Sequence, residues 1–226
     1  SGLAPSSVQR HLHLFSASLT AAVDAEILVA NPAARLALPS GETDEMRFLT
    51  QKESGTLLAS FEPAPRAFVS LLLGTGLRYG EGAGLQHKRL DLNRGQLRVA
   101  EVWDDKTGEL KAYPKGRKIR DVPLPDWVVE QIPEGDGLVF GPMIYTNWRK
   151  RVWLPALERS GLGHVRPHDL RHTYASRLAE SGYSLFEIGA RLGHVSPVTT
   201  QRYSHLIPID RTRDLRALPD PRVGQT

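Results

Sequence analysis

From Val8 to Ile27 the apolar positions Val8, Leu12, Phe15, Leu19, Val23 and Ile27 return at steps of three and four. This one-sided stripe predicts an amphipathic helix capped by Ser6 and ended by Asn31-Pro32. Between there and Arg47 the periodicity fades into Pro-, Gly- and Ser-bearing sequence, the composition of a linker. "LTQKESGTLLASF" from Leu49 again has helical spacing, while "RAFVSLLLGTG" from Arg66 fits either a helix or a buried strand. Next come "GQLRVAEVW" from Gly95, "ELKAY" from Glu109 and "KIRDVPL" from Lys118. These are short, β-rich and separated by turn residues, which predicts a small antiparallel sheet. After Pro125 helical spacing resumes, with segments starting near Tyr145, His168, Ser184 and Ser196 divided by Gly- or Pro-marked breaks. The predicted class is α+β, mainly α-helical.

Composition excludes several classes. The 226 residues are long enough for a substantial core, and 40% hydrophobic with 24% charged residues is the balance of a globular chain, not of a disordered one. Without cysteine there is no disulfide framework and no thiolate metal site, which fits a reducing compartment, with cytoplasm as the default. No run approaches the roughly 18 apolar residues of a membrane span, so no membrane partner is expected. The chain opens with Ser1-Gly2 and no initiator Met, so a fragment is expected.

A formal charge of +4 and a pI near 9.5 favour a polyanionic partner only where the cations cluster. They cluster in "KAYPKGRKIR", residues 111 to 120, and in "NWRKR", residues 147 to 151, running on to Arg166, Arg171 and Arg177. The candidate contacts to such a partner are therefore Arg117, Lys118, Arg149, Lys150, Arg151 and Arg177. Either run alone would read as a solvated face.

The stretch "RPHDLRHTYASRL", residues 166 to 178, sharpens the question of what is bound. His164, His168 and His172 are four apart, but Pro167 belongs to a first turn and leaves His164 ahead of the helix. No H-E-x-x-H pattern exists, and no metal or other cofactor is predicted. Phosphate fits better: His168 and Arg171 share a helical face, and a guanidinium meets phosphate oxygens in a planar fork. A lone H-x-x-R is common, and elsewhere stand "TGLRYGE", with Arg78 and Glu81, and "RLGHVSPVTTQRYSH", with His194 and Tyr203.

This ordered set, with a lysine-bearing hairpin between the first Arg and the first His, resembles the tyrosine recombinase or phage integrase family. The resemblance spans Leu49 to Leu206. It implies that Arg78 and Arg171 clamp a scissile phosphate, that Lys115 in "YPKGRKIRDVPL" is the hairpin lysine, that His168 and His194 are the active-site imidazoles, and that Tyr203 is the nucleophile. It divides the chain into residues 1–46, the end of a core-binding domain with its linker, residues 47–206, a catalytic domain, and residues 207–226, a tail. Leu206, Ile207, Ile209, Leu215 and Leu218 give that tail apolar anchors for docking on a neighbouring protomer. The partners implied are double-stranded DNA with specific recombination sites, a homotetramer on synapsed DNA and accessory DNA-bending proteins. Two departures from the family pattern are Pro114 directly before Lys115, and Gly82 and Gly84 in the helix after Arg78.

The residue chemistry agrees with that reading. A phosphodiester repels nucleophiles and gains charge on its nonbridging oxygens in the transition state, which two arginines offset. A tyrosine hydroxyl, with an ordinary pKa of about 10, needs a base or cationic surroundings, for which His168 is the candidate. A leaving 5′ oxygen needs a proton, which Lys115 on a hairpin tip would supply. Each residue also has a plainer reading: Arg78 and Glu81 as a surface pair, Lys115 as a turn charge, His194 as a helix cap, Tyr203 as a core ring. "GTGLRYG" misses the dinucleotide spacing G-x-G-x-x-G by one. Tyr79, Tyr174 and Tyr183 read as packing residues, and His172 as a structural support of the site. An accessory DNA-binding module and a type IB topoisomerase-like enzyme are the alternative functions.

Overall fold

The computed structural model describes residues 3, 5–37, 46–112, 119–194 and 196–207. The chain divides into two compact units, Ser1–Glu45 and Met46–Thr226. In the first, α1 spans Pro5–Asp24. The helix already includes Pro5, so Ser6 is not its cap; a proline's fixed φ suits a first turn. It also stops before Asn31. Glu26 takes the left-handed conformation at φ 57, its N–H bonds Val23 O at 2.9 Å, and Ile27 N–H bonds Ala22 O at 2.9 Å. These are the paired bonds of a Schellman ending, made here on glutamate where sequence rules expect glycine. Asn31 instead returns to the helix side, its amide bonding Ser16 O at 3.0 Å and Thr20 Oγ1 at 2.9 Å.

The second unit is a helical body with β structure along one side. α2, Gln51–Ala59, starts at a capping box in which Thr50 and Glu53 exchange backbone and side-chain bonds. α3, Pro63–Thr75, is a helix throughout, which resolves "RAFVSLLLGTG"; Phe68, Val69, Leu71, Leu72 and Leu73 are all buried along it. α4 is short, Tyr79–Ala83.

The predicted sheet forms as two pieces. β1 (Leu90–Asp91), β2 (Gln96–Val99) and β5 (Arg120–Pro123) make a three-stranded antiparallel sheet in the order β1-β2-β5. β3 (Glu101–Asp104) and β4 (Glu109–Ala112) make a two-stranded ribbon. "GQLRVAEVW" is thus two strands joined at Ala100, with Val99 paired to Arg120 and Glu101 paired to Ala112. The ribbon's turn lies between Asp104 and Glu109, where Asp104 O accepts from Gly108 N–H at 2.8 Å. Lys115 is therefore not at that turn; it belongs to the connection from β4 to β5, whose residues 113–118, Arg117 and Lys118 included, lie outside the described residues.

Helices follow: α5 (Asp126–Val129), α6 (Tyr145–Trp148), a π-helical turn Arg149–Trp153, α7 (Leu154–Ser160), α8 (Asp169–Glu180), α9 (Leu185–Leu192) and α10 (Val198–Gln201). One cluster of buried side chains joins α2, α3, the sheet and α7, around Phe68, Trp148 and Trp153. A second, around Tyr174, Ile188, Leu192 and Tyr203, joins α8 and α9 to the segment after α10.

Candidate active site

Two glycine-ended helices build the cation-holding part of the site. α3 ends at Gly76 in the left-handed conformation, φ 64. A Cβ there would stand 2.4 Å from the Tyr174 ring, so glycine is required by both backbone and neighbour, and Tyr174 is the packing residue expected. α9 ends at Gly193, φ 66, where Gly193 N–H bonds Ala190 O and His194 N–H bonds Gly189 O, again a Schellman pair. "TGLR" and "LGH" are thus helix stops that fix where Arg78 and His194 begin.

Arg171, on the first turn of α8, sits between these two ends. Its Nη1 donates to Gly76 O and its Nη2 to Leu192 O, both at 2.6 Å. A helix C-terminus carries partial negative charge, so two of them pointing at one guanidinium offset part of its desolvation. The residue is only 2% exposed, and burial first, then Arg78, pulls its pKa down to about 9. Arg78 is the N-cap of α4, and Glu81 returns a carboxylate to it: Oε2 accepts the Arg78 N–H and Oε1 accepts Nη1, each at 2.9 Å. Glu81 is buried, whereas the Arg78 side chain stays 30% exposed.

α4 is seated by its glycines. A Cβ on Gly84 would lie 2.7 Å from Trp103 N and 3.0 Å from Val102 C, and one on Gly82 would lie 2.8 Å from Leu72 Cδ2. The glycines that depart from the family pattern let this helix press against β3 and α3, and their weak helix propensity is offset by that close packing.

His168 is the N-cap of α8, exposed as a residue. Surrounding protein nevertheless desolvates the imidazole and lowers its pKa, with Arg171 and Arg78 adding to the effect. His164 precedes the helix, and among the described residues no group of three or more His, Cys, Asp or Glu is placed to hold a metal ion. His194 Nδ1 shares a 2.7 Å hydrogen bond with Thr200 Oγ1; burial, then Arg171 and Arg78, pushes its pKa to about 3.

Tyr203 follows α10 and is 1% exposed. Its hydroxyl lies 2.8 Å from Nδ1 of His172, one turn of α8 beyond His168. The two imidazoles meet edge to face, their centroids 4.9 Å apart. The imidazole bonded to the tyrosine hydroxyl is thus His172 rather than His168, and its neighbouring position in "LRH" is the available signal. Burial, then His168, holds His172 down to about 4, so it is neutral near pH 7. Burial raises the Tyr203 hydroxyl above its ordinary value, while Arg171 and Arg202 draw it back. Arg120, read from sequence as a strand residue, also reaches this centre through Glu81 at 2.8 Å.

The candidate DNA contacts fall into two groups. Arg149, Lys150 and Arg151 are exposed on the π-helical turn, whose wider winding brings buried Trp148 and Trp153, five apart, to the inner side. Arg177 is engaged inside the fold instead: its Nη2 donates to Ser54 Oγ at 2.6 Å and burial lowers its pKa. Its place at an inward position of α8, against α2, explains the difference.

The family model described as the phage integrase family matches residues 47–135 and 140–208. The chain is 31% identical over 215 residues to tyrosine recombinase XerC of Xylella fastidiosa (strain M23), covering 91% of this chain and 71% of that one. It is 29% identical over 209 residues to the integrase of Escherichia phage P2, covering 92% of this chain and 57% of the relative. Against XerC of Pelobacter propionicus it spans 66% of the relative's length. Among solved structures, the Tn1549 transposon integrase in complex with a circular intermediate DNA matches with a TM-score of 0.78 at 20% identity, covering 89% of this chain and 76% of that one. The catalytic domain of bacteriophage HP1 integrase matches at 0.57 and 24%, covering 73% of this chain and 90% of that one. With the model matching well over half of its residues, the chain belongs to the phage integrase family of tyrosine recombinases.

Proposed function

We propose that this chain is the catalytic part of a site-specific DNA recombinase that cuts and rejoins strands through a covalent 3′-phosphotyrosine on Tyr203. The observation that carries the reading is the position of Arg171. It is bonded to the turn that leads into Arg78 and to the turn that leads into His194, and it immediately precedes His172, whose imidazole is bonded to the Tyr203 hydroxyl.

In this reading Arg78 and Arg171 take the nonbridging oxygens of the scissile phosphate and offset the charge that grows there in the transition state. The Tyr203 oxygen attacks phosphorus and forms a new P–O bond; its proton passes to the His168 imidazole as general base, and the bond to the 5′ oxygen breaks. Lys115 protonates the departing 5′ oxygen, and a 5′ hydroxyl from another strand reverses the sequence. Phosphodiester linkages are conserved in number, so the exchange consumes no nucleotide. Because the tyrosine is buried and bonded to His172, attack requires residues 198–207 to shift so that phosphate replaces the imidazole as partner. DNA with paired sites, a homotetramer, accessory bending proteins and the exposed Arg149–Arg151 contacts belong to the same proposal. XerH, a recombinase of similar fold with a TM-score of 0.53 at 22% identity, is bound to a difH substrate in a pre-cleavage complex.

A nicked suicide duplex separates cutting from gripping. The chain is expected to become covalently attached to the 3′ phosphate, in excess chelator as well as in Mg²⁺. Binding without attachment would leave an accessory DNA-binding module, and supercoil relaxation without exchange between two sites would leave a topoisomerase.

A further inference from the structure

Arg120 opens β5, and its side chain is 8% exposed. Nη2 and Nη1 donate to the two oxygens of Glu81 at 2.8 and 3.3 Å, and Nε donates to Arg191 O at 2.9 Å. Each partner leads to the site. The Glu81 carboxylate is the one that holds both the backbone and the guanidinium of Arg78. The Arg191 carbonyl is adjacent to Leu192 O, which Arg171 takes, so two guanidinia close consecutive carbonyls at the end of α9, immediately before the turn that sets His194. Gly193 makes the approach possible, since a Cβ there would stand 2.7 Å from Arg120 Nη1. By its place in the chain, Arg120 also anchors the C-terminal end of the connection that carries Lys115.

We propose that Arg120 is a positioning residue for strand cleavage, holding Arg78 through Glu81 and the backbone before His194 through Arg191, so that the phosphate is gripped in one geometry that Arg120 itself never touches. This rests on the DNA-cleaving reading above. A planar guanidinium spans a carboxylate with two nitrogens while a third meets a carbonyl; a lysine ammonium has the charge without that fork. The single Glu81 carboxylate meets both Arg78 and Arg120, so a change at one guanidinium is felt by the other.

The test compares wild type, Arg120→Lys, Glu81→Gln and the double variant. The probe is a nicked duplex bearing the sequence recovered from DNA trapped covalently on the wild-type chain. Single-turnover adduct formation, gel-shift affinity and thermal unfolding are read for each. Arg120→Lys is expected to slow adduct formation about 10- to 100-fold, the scale of a small misplacement of reacting groups, with affinity changed by less than about threefold. In the Glu81→Gln background the same change is expected to cost no more than about twofold further, because residues acting through one another are not additive. Wild-type cleavage by Arg120→Lys, a parallel fall in cleavage and affinity, or fully multiplicative losses would overturn the proposal. Should Arg120→Lys fail to unfold cooperatively, the uncharged pair Arg120→Gln with Glu81→Gln is measured by the same split between cleavage and affinity. Folded wild-type chain that traps no DNA at all would instead remove the functional reading, and this inference with it.

Discussion

The two halves of the candidate site are built differently. The arginine half is fixed to helix ends: Arg171 is held by two backbone carbonyls at helix C-termini, and Arg78 is fixed at a helix start by a buried carboxylate. The tyrosine half is made of side chains: Tyr203 has its hydroxyl on His172, and His194 is joined to Thr200, along a four-residue helix and the turn after it. Carbonyls at glycine-ended turns cannot move without unwinding a helix, whereas a side-chain hydrogen bond is exchanged at a net cost of about 1 kcal/mol. On the proposed mechanism a clamp has to be in place before phosphate arrives, and a nucleophile has to be released when it does.

The largest contrast should come from removing one atom in the tyrosine half. On the proposed mechanism Tyr203→Phe deletes the attacking oxygen, so covalent adducts should vanish while DNA affinity stays within a few-fold of wild type. The lost bond to His172 should cost about 1 kcal/mol of stability. An adduct persisting on denaturing gels would assign the nucleophile elsewhere.

Arg171→Ala attacks the other half, where architecture and chemistry share one side chain. Leaving Gly76 O and Leu192 O without their donor should destabilise the unit by about 2–4 kcal/mol, and loss of a charge-stabilising group should lower cleavage at least 10²-fold. Chemical denaturation and single-turnover cleavage report the two effects. A variant that loses activity but keeps full stability would show the two helix ends to be indifferent to this cation.

This difference in construction also decides what was legible in the sequence. Glycine stops are written locally, and the ordered motifs "TGLR", H-x-x-R and "LGH" carry the family resemblance that singles out Arg78, His168, Arg171 and His194. The contacts that join them are not local. Arg120 lies 39 residues from Glu81 and 71 from Arg191, and a strand arginine has no pattern that announces such partners. His172 was visible only as a supporting histidine, because its partner lies 31 positions away. The end of α1 was misjudged for the opposite reason, a local rule broken by Glu26 in a glycine conformation. The break at Ala100 divides a predicted strand between two pairings, which β propensity does not encode.

A smaller effect should follow from the seat of the clamp. Gly84→Ala places a methyl group 2.7 Å from the Trp103 backbone nitrogen, which cannot yield as a flexible side chain does. The overpacking should cost about 1–3 kcal/mol and, by tilting α4, slow cleavage more than it weakens binding. Gly55→Ala is the control. It lies at an exposed position of α2 with nothing within 4 Å of a new Cβ, and should gain about 0.5–1 kcal/mol from helix propensity. Equal shifts in melting temperature for the two would deny that α4 is pressed against β3.

An effect absent at neutral pH tests the tyrosine half through acid. His172 titrates near 6.5 when unfolded, and in the fold it is pushed to about 4, by burial first and then by His168, with Arg202 and Arg166 adding and Asp169 opposing. Above about pH 6.5 both states hold it neutral and its contribution to stability is complete. As the pH falls from there toward 4, the unfolded chain takes up a proton that the folded chain refuses, so stability declines by at most about 1.4 kcal/mol per pH unit from this group. His194, pushed to about 3, adds a slope of the same sign. His172→Gln removes one titrating group while keeping an amide in reach of the Tyr203 hydroxyl. Its stability should therefore fall less steeply than wild type between pH 6.5 and 4, and the two curves should run parallel above pH 7. Parallel curves through the acid range as well would mean that His172 is free to take its proton in the folded state, and that the tyrosine is not held by a neutral imidazole.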